Sequence, residues 1–284
     1  LALSLWKIEN CMSSHKDFFP TRIVCLTEEP TETLYLLGEG KRIVGISGFT
    51  MRPARARKEK PKVSAFSSAN IGEIIELKPD LVIGFSDIQA DIARELIAGG
   101  ITVWINNHRD VAGIYQMIVQ MGSMVGKQEE AISLVQAIRE TLHIICAPNQ
   151  AKAIKPTIYF EEWYDPLITG IEWVSELIEL AGGIDIFPEL RKESLAKDRI
   201  LADPQEVVNR NPDIIMASWC GKKFKKDRLI QRPNWDTIKA VKHAFVFEIN
   251  SDIILRPGPA AVPEGVKEMV GMIEKWHEWK TKRS

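Results

Sequence analysis

The chain has 284 residues, and its 37 basic and 38 acidic side chains give a formal net charge of −1. A balance this close to neutral gives no general attraction to nucleic acid or to an anionic membrane surface. No apolar run approaches the roughly 20 residues that a transmembrane helix needs. We therefore expect neither nucleic acid nor direct membrane insertion, and the length suits two domains with a core each.

The first 21 residues are treated as an N-terminal extension. They contain no basic n-region and no small-residue cleavage site, which a secretory leader would show. Cys11, Cys25, Cys146 and Cys220 have no paired spacing, which favours free thiols in a reducing compartment. The sequence predicts a cytoplasmic location, and the alternative is a periplasmic one if translation starts elsewhere than at Leu1.

Residues 22–126 alternate between strand and helix patterns. A helix follows the first strand, where Thr31 and Glu32 stand early and Gly38 or Gly40 closes it. Two further helices are predicted over 90–98 and 111–125. The predicted strands are 22–26, 42–47, 80–85 and 102–105.

The segment 127–145 predicts one long amphipathic helix. Its apolar residues recur at helical spacing and would form a single buried face. Gly126 precedes the run and Pro148 follows it, and neither turn signal interrupts it. We expect this helix to act as a rigid strut. The apolar positions are Ala131, Leu134, Val135, Ile138, Leu142 and Ile145.

The second half repeats the organisation of the first. Residues 71–87 and 204–219 both run from a short helix through a Pro-Asp turn into an apolar strand of the buried parallel type. Further strands are predicted over 157–160 and 245–249, and the stretch EEWYDPLITG at 161–170 is predicted to be a loop. Helices are predicted over 173–181 and 263–280.

These elements predict an α/β fold. Two Rossmann-like lobes with parallel sheets would be joined by one long helix, with a ligand cleft between them. The expected domains are an N-terminal lobe at 22–126, a connecting helix at 127–147 and a C-terminal lobe at 148–284.

Aromatic residues follow several predicted strands, where open α/β sheets place their ligands. Such rings could grip a flat, partly apolar ligand. We expect at least two of the six to pack in the core instead. Asp87, after the strand at 80–85, and Arg256, in a rigid Pro-rich turn, are added as ligand-binding candidates. The six aromatic candidates are Phe49, Phe66, Phe85, Trp163, Tyr164 and Trp219.

Two basic loops, 52–62 and 222–228, occupy similar places in the two halves. They could hold or steer an anionic ligand, or simply be solvated surface loops.

The sequence contains no nucleophile elbow, no metal-spaced His pair and no phosphate-binding Gly motif. No catalytic residue, metal site or cofactor is therefore predicted.

Several short motifs occur in a family order over residues 22–276. They are RIVCLTEEPTETLYLLG, RIVGIS, VSAF, KPDLVIGF, AGG and NPDIIM. In this order the chain resembles the cobalamin- and siderophore-binding class of ABC-importer substrate-binding proteins, which have a helical backbone between two lobes. The resemblance implies a ligand held against aromatic side chains, with Phe66 where a Trp is typical and with Phe49 and Phe85 at other aromatic positions.

The resemblance also implies an ABC permease as partner. Members of the class dock through one surface Glu per lobe, seven residues before the Pro of each Pro-Asp turn. Here Gly72 and Gln205 stand at those positions. Glu73 and Glu206 follow one residue later, about 100° around a helix, and are the candidate docking residues.

The predicted function is that of a non-catalytic binding protein for a bulky small ligand. Cobalamin or another corrinoid is the first expectation, and an iron–siderophore or haem is the second. From a different class, the alternative is a cytosolic enzyme acting on a tetrapyrrole or nucleotide-like compound.

Overall fold

The computed structural model describes residues 18–283. Most of residues 1–21, on which the prediction about a leader depends, lie outside this range, as does Cys11. The described chain separates into two compact units. The first contains the residues up to His108 together with Tyr115–Val135, and the second contains Arg109–Ile114 and the residues from Gln136 onwards. The domain boundaries expected from the sequence, after residues 126 and 147, remain predictions.

The first unit is built on a parallel sheet, as the sequence predicts, but the sheet has five strands, and the strand over Lys62–Ser64 is not among the four predicted ones. Its strand order is β3-β2-β1-β4-β5. Apolar residues of β1 and β4, such as Val24 and Val82, pack against Ile74 and Leu96 from the covering helices. The strands are β1 (Ile23–Cys25), β2 (Ile43–Ser47), β3 (Lys62–Ser64), β4 (Leu81–Phe85) and β5 (Val103–Asn106).

Helices connect these strands, including one that the sequence interpretation missed. Residues 52–62 were predicted to be a basic loop, but four of them form a helical turn. Arg57, on this turn, supplies the bonds that hold it against the preceding loop. The helices of this part of the chain are Glu28–Leu36, Ala56–Glu59, Ile71–Glu76, Ala90–Ala98 and Val111–Met124.

The long helix runs over Gln128–Gln150. Of the six predicted apolar positions, Ala131, Ile138 and Leu142 are buried, whereas the other three are only half-buried. The helix continues through Pro148 to Gln150, beyond the end of the connecting helix predicted at 127–147. Asn149 is buried in the next turn, where its side-chain amide donates to the carbonyls of Ala181 and Val270, so tertiary bonds hold the helix beyond the proline.

The second unit contains a mixed sheet of order β10-β9-β6-β7, with β8 also paired to β6. Strand β6 is parallel to β8 and β9 but antiparallel to β7. The stretch 161–170 is therefore mostly a β-hairpin and not the predicted loop. The strands are β6 (Thr157–Tyr164), β7 (Leu167–Thr169), β8 (Ile184–Asp185), β9 (Ile214–Ala217) and β10 (Val246–Glu248).

Most of the remaining helices of the second unit are short. The predicted basic loop at 222–228 is again partly helical. The last helix is preceded by a single π-helical turn, Ala261–Gly265. The α-helices are Glu172–Leu180, Gln205–Arg210, Lys226–Ile230, Lys239–Lys242, Ser251–Ile254 and Val266–Thr281.

Two hydrogen bonds, one of them to a side chain, connect the segment Arg109–Ile114 to the rest of the second unit. The N–H of Trp173 donates to the carbonyl of Arg109 at 2.9 Å. The N–H of Val111 donates to the Glu176 carboxylate at 2.7 Å. These bonds tie the start of the helix Val111–Met124 to the helix Glu172–Leu180.

Candidate functional site

In the first unit, two aromatic candidates lie exposed beyond the carboxyl ends of β2 and β3. Phe49 is 56% exposed and Phe66 is 41% exposed. Ile88, just after β4, is also exposed. Because the strands are parallel, their carboxyl ends share one edge of the sheet, and that edge is where open α/β sheets bind ligands.

Phe85 differs from these residues because it is buried at the end of β4. Its ring lies 5.0 Å from that of His108. Asp87, the next candidate along the chain, is exposed and accepts a hydrogen bond from the Ser86 hydroxyl at 2.8 Å. The structure thus places Phe85 in the core and Asp87 at the surface of the same turn.

The loop that carries Phe49 is fixed by two charged side chains. Arg57 donates to the carbonyls of Gly48 and Thr50 at 2.6 and 2.8 Å. The buried Glu28 carboxylate accepts the N–H groups of Met51 and Arg52. Since Arg57 is engaged in holding backbone, its role in the basic loop is structural.

In the second unit, aromatic rings form a continuous stack. The ring of Trp163 lies 5.2 Å from that of Tyr164, which lies 4.6 Å from that of Trp219. Phe224 meets the Trp219 ring edge-on, with the two ring centroids 5.0 Å apart. Trp163 and Tyr164 are half-buried, whereas Trp219 is only 3% exposed. Trp219 is therefore mainly a core residue, and with Phe85 it confirms that at least two of the six pack inside.

A buried carboxylate lies under this aromatic stack. Glu161 accepts hydrogen bonds from Trp219 Nε1 at 2.9 Å and from the Arg232 guanidinium at 2.5 and 3.0 Å. Burial raises the pKa of the Glu161 carboxyl, while the bonds from Arg232 and Trp219 act in the opposite direction. Arg232 also donates to the carbonyl of Tyr164 at 3.0 Å, so the pair fixes the backbone of the half-buried rings.

A lysine ammonium covers the half-buried rings. Lys222 Nζ lies 4.9 Å from the centroid of the Trp163 ring and 5.3 Å from that of Tyr164, within cation–π range. It also donates to the Tyr164 hydroxyl at 3.3 Å. This hydrogen bond and charge, followed by those of Arg228, lower the pKa of the Tyr164 phenol. The site can therefore present flat rings and a positive charge together.

Beside this stack is a pocket of about 590 Å³ with a mostly polar lining. The Arg256 guanidinium does not line it but pairs with Asp252, which does, at 2.5 Å. The lining residues are Trp219, Gly221, Lys222, Lys223, Glu248, Ile249, Asn250, Ser251, Asp252 and Glu268.

Two residues of this arrangement are not identified by the sequence analysis. Arg232 lies within a segment that carries no motif, and Glu161 lies in the stretch that is predicted to be a loop. The burial of Glu161 has no local signal, because EEWYD has the composition of a polar loop and the partner that a buried carboxylate needs lies far along the chain. Nothing in the sequence identifies Arg232 as that partner.

The two docking candidates are both exposed on short helices. Glu73 lies on Ile71–Glu76. Glu206 lies on Gln205–Arg210, where its carboxylate is 3.6 Å from the Arg210 guanidinium.

Among residues 18–283 there is no cluster of three or more His, Cys, Asp or Glu side chains suited to a metal ion. Within the same residues, no helix has the length and hydrophobicity to cross a bilayer.

Comparison with known proteins gives relatives across most of the chain. An ABC transporter substrate-binding lipoprotein of Bacillus subtilis, itself uncharacterised, is 28% identical over 268 residues, which is 89% of this chain and 80% of the relative. The vitamin B12-binding protein of Vibrio vulnificus is 24% identical over 242 residues, which is 84% of this chain and 85% of that protein.

Solved structures share the fold. The periplasmic heme-binding protein RhuT of Roseiflexus superposes with a TM-score of 0.75 at 20% identity, covering 90% of this chain and 98% of that one. The family model described as "periplasmic binding protein" matches residues 23–253, from β1 to the helix after β10. Since this match takes in both sheets and most of the sequence, the chain belongs to the periplasmic binding protein family.

Proposed function

We propose that this protein captures a bulky, flat ligand for an ABC importer, and that the ligand is a corrinoid such as cobalamin. One observation carries the proposal: Trp163 and Tyr164 are half-buried, packed together, and covered by the Lys222 ammonium. Rings held in this way offer apolar area to a macrocycle at little cost in side-chain entropy. Lys222 adds a donor for polar groups at the edge of the ligand.

The first unit supports the same ligand class. Phe49 and Phe66 are exposed aromatic side chains on loops that hydrogen bonds hold in place. Large exposed apolar side chains beyond the strand ends are typical of ligand contacts. The similarity to proteins named for binding vitamin B12 favours a corrinoid within this class.

Haem or an iron–siderophore is the second candidate. A group of cations favours it. Lys222 and Arg228 lie near the Tyr164 ring, and Lys223 lines the pocket with Lys222. Carboxylates of such ligands pair well with cations. The fold is shared with a protein named for heme binding.

A titration of the purified chain tests these candidates. Cyanocobalamin, haemin and a ferric hydroxamate siderophore are each added while tryptophan fluorescence and ligand absorbance are recorded, and the ligand is recovered for mass spectrometry. We expect cyanocobalamin to bind most tightly and to be recovered unchanged. Binding of haemin or siderophore alone would establish the second candidate, and chemical conversion of the ligand would favour an enzyme.

We further propose that Glu73 and Glu206 contact the permease. Both are exposed on the first helix turns before the Pro-Asp strands, and both carry charge that a basic permease surface would attract. Stimulation of permease ATPase activity in proteoliposomes should fall in Glu73→Ala and Glu206→Ala. Glu76→Ala, an exposed neighbour on the helix of Glu73, should behave as the parent, and equal loss in all three variants would refute the assignment.

We propose a location outside the cytoplasm, since relatives are named as a lipoprotein and as periplasmic proteins. The sequence predicted the cytoplasm, with a periplasmic location as its alternative. Fractionation of the native host with an antibody to the chain decides between them. Recovery in the cytoplasmic fraction alone would contradict the proposed location.

A further inference from the structure

The side chain of Gln89 is fully buried beneath the loop that carries Phe66. Its Oε1 accepts the N–H of Phe85, at the end of β4, at 3.0 Å. Its Nε2 donates to the carbonyl of Phe66 at 2.9 Å. A buried amide that satisfies two backbone groups holds both of them in place. Gln89 therefore joins the sheet of the first unit to the residue whose ring is exposed.

The loop of Phe66 is closed at its base by backbone bonds. Ser64 and Ala69 form an isolated antiparallel bridge, and the N–H of Ala65 donates to the carbonyl of Ser68 at 2.7 Å. These bonds bring the loop ends together, whereas Gln89 holds the carbonyl of Phe66 itself. Phe66 is 41% exposed, and these bonds fix the backbone from which its ring extends.

The chain around Gln89 is adapted to this arrangement. A Cβ on Gly84 would stand 2.4 Å from Gln89 Oε1, so only glycine leaves room for the amide. Ser86 has φ 77° and ψ 152°, a conformation that glycine adopts far more readily. Its carbonyl accepts the N–H of Gln89 at 3.1 Å, which closes the turn between β4 and Gln89. Strained backbone of this kind persists where the surroundings fix it, and it clusters at binding sites.

We propose that Gln89 is a positioning residue that fixes Phe66 for ligand binding. Its amide sets the backbone of Phe66 before the ligand arrives, so that the ordering cost of binding is reduced. This role rests on the proposed function, because Phe66 must be a ligand contact. The anchoring of the loop does not depend on that function and can be measured separately.

The test uses Gln89→Met, which keeps the size of the side chain and removes both hydrogen bonds. Cyanocobalamin affinity and hydrogen exchange of the amides in 65–69 are measured on the full chain. We expect affinity to fall about tenfold, equivalent to about 1.4 kcal/mol, and exchange in 65–69 to become faster. Gln136→Met, an exposed position on the long helix, is the matched control and should change neither quantity.

A double-mutant cycle with Phe66→Ala tests whether Gln89 acts through the ring. We expect the double variant Phe66→Ala/Gln89→Met to bind cyanocobalamin as Phe66→Ala does. Parental affinity in Gln89→Met would overturn the proposal, provided that its thermal melt is native. A further tenfold loss in the double variant would overturn it as well, because Gln89 would then act by another route.

Gly84→Ala is the alternative test of the Gln89 hydrogen bonds if Gln89→Met does not fold. Its added Cβ would displace the Gln89 amide, and also the Ile105 side chain at 2.7 Å, without removing either. Faster exchange in 65–69 is again expected. If Phe66→Ala binds cyanocobalamin as the parent does, Phe66 is not a ligand contact and the proposed site is wrong. Hydrogen exchange of the amides in 65–69 still shows whether Gln89 anchors the loop. Unchanged exchange in both Gln89→Met and Gly84→Ala would overturn the anchoring.

Discussion

Arg232 and Glu161 form a buried ion pair with two hydrogen bonds, at 2.5 and 3.0 Å, although 71 residues separate them. The Glu161 side chain has no exposed surface. The guanidinium also lies over the Trp235 ring, 4.5 Å from its centroid. The pair thus locks strand β6 at the point from which Trp163 and Tyr164 extend, so that the stability of the second unit and the position of its rings depend on the same contact.

Replacing Arg232 by Met should lower the free energy of unfolding by about 3–5 kcal/mol, because it leaves a buried carboxylate unpaired. Urea unfolding followed by circular dichroism measures this loss. The control is Arg191→Met, which removes a pair with the half-exposed Glu179 and should cost at most about 1 kcal/mol. Similar losses in the two variants would show that the buried pair contributes no more to the free energy of unfolding than an exposed pair does.

The same pair explains why the hairpin at 161–170 was missed. The letters EEWYD look like a polar loop, because a Glu at 161 is assigned to solvent unless its partner is known. Arg232 is far away in sequence, and no local pattern links the two residues. In contrast, β4 was predicted within one residue at its start, since Pro79, Asp80 and the apolar run after them specify a buried strand locally.

Which aromatic candidates are buried also depends on contacts that are distant in the sequence. The sequence placed Phe85 and Trp219 at strand ends correctly, but strand ends do not reveal which rings turn inward. Trp219 is buried by its bond to Glu161 and by Phe224, and Phe85 by its contact with His108. Burial at these positions is decided by tertiary partners, which periodicity does not report.

Phe66→Ala and Trp163→Ala should each weaken binding of cyanocobalamin. Truncating an aromatic anchor commonly costs about 2 kcal/mol or more, which is roughly thirtyfold in affinity. Isothermal titration calorimetry measures the change. Ile144→Ala, on the exposed side of the long helix, is the control and should bind as the parent. If both aromatic variants also bind as the parent, the ligand contacts lie elsewhere.

Lys222→Met should raise the pKa of the Tyr164 phenol. The Lys222 hydrogen bond and charge are the main causes that lower it, and both disappear in this variant. Absorbance at the phenolate band, recorded during an alkaline titration, follows the change, and Tyr164→Phe assigns the signal. Lys223→Met removes a neighbouring exposed charge and should have a smaller effect. An unchanged phenol titration in Lys222→Met would mean that the ammonium does not sit over this ring in solution.

Asp185 should make the stability of the second unit depend on pH. Its buried carboxylate accepts hydrogen bonds from the Ser175 hydroxyl at 2.5 Å and from the N–H of Phe187 at 3.1 Å. Burial nevertheless raises its pKa above the ordinary value, because desolvation disfavours the charged form. The folded state then holds a proton at pH values at which the unfolded chain has already released it.

The stabilising contribution of Asp185 is therefore complete below its unfolded pKa of about 3.9 and is lost as pH rises through the folded pKa. Asp185→Asn removes this titration. We expect the free energy of unfolding of the parent, relative to Asp185→Asn, to decline in that window by at most about 1.4 kcal/mol per pH unit, and to stay level above it. Ser175→Ala removes a bond that lowers the pKa, so the decline should extend to higher pH. Parallel stability curves for the parent and Asp185→Asn across this window would contradict the raised pKa, because the difference between them isolates this one carboxyl.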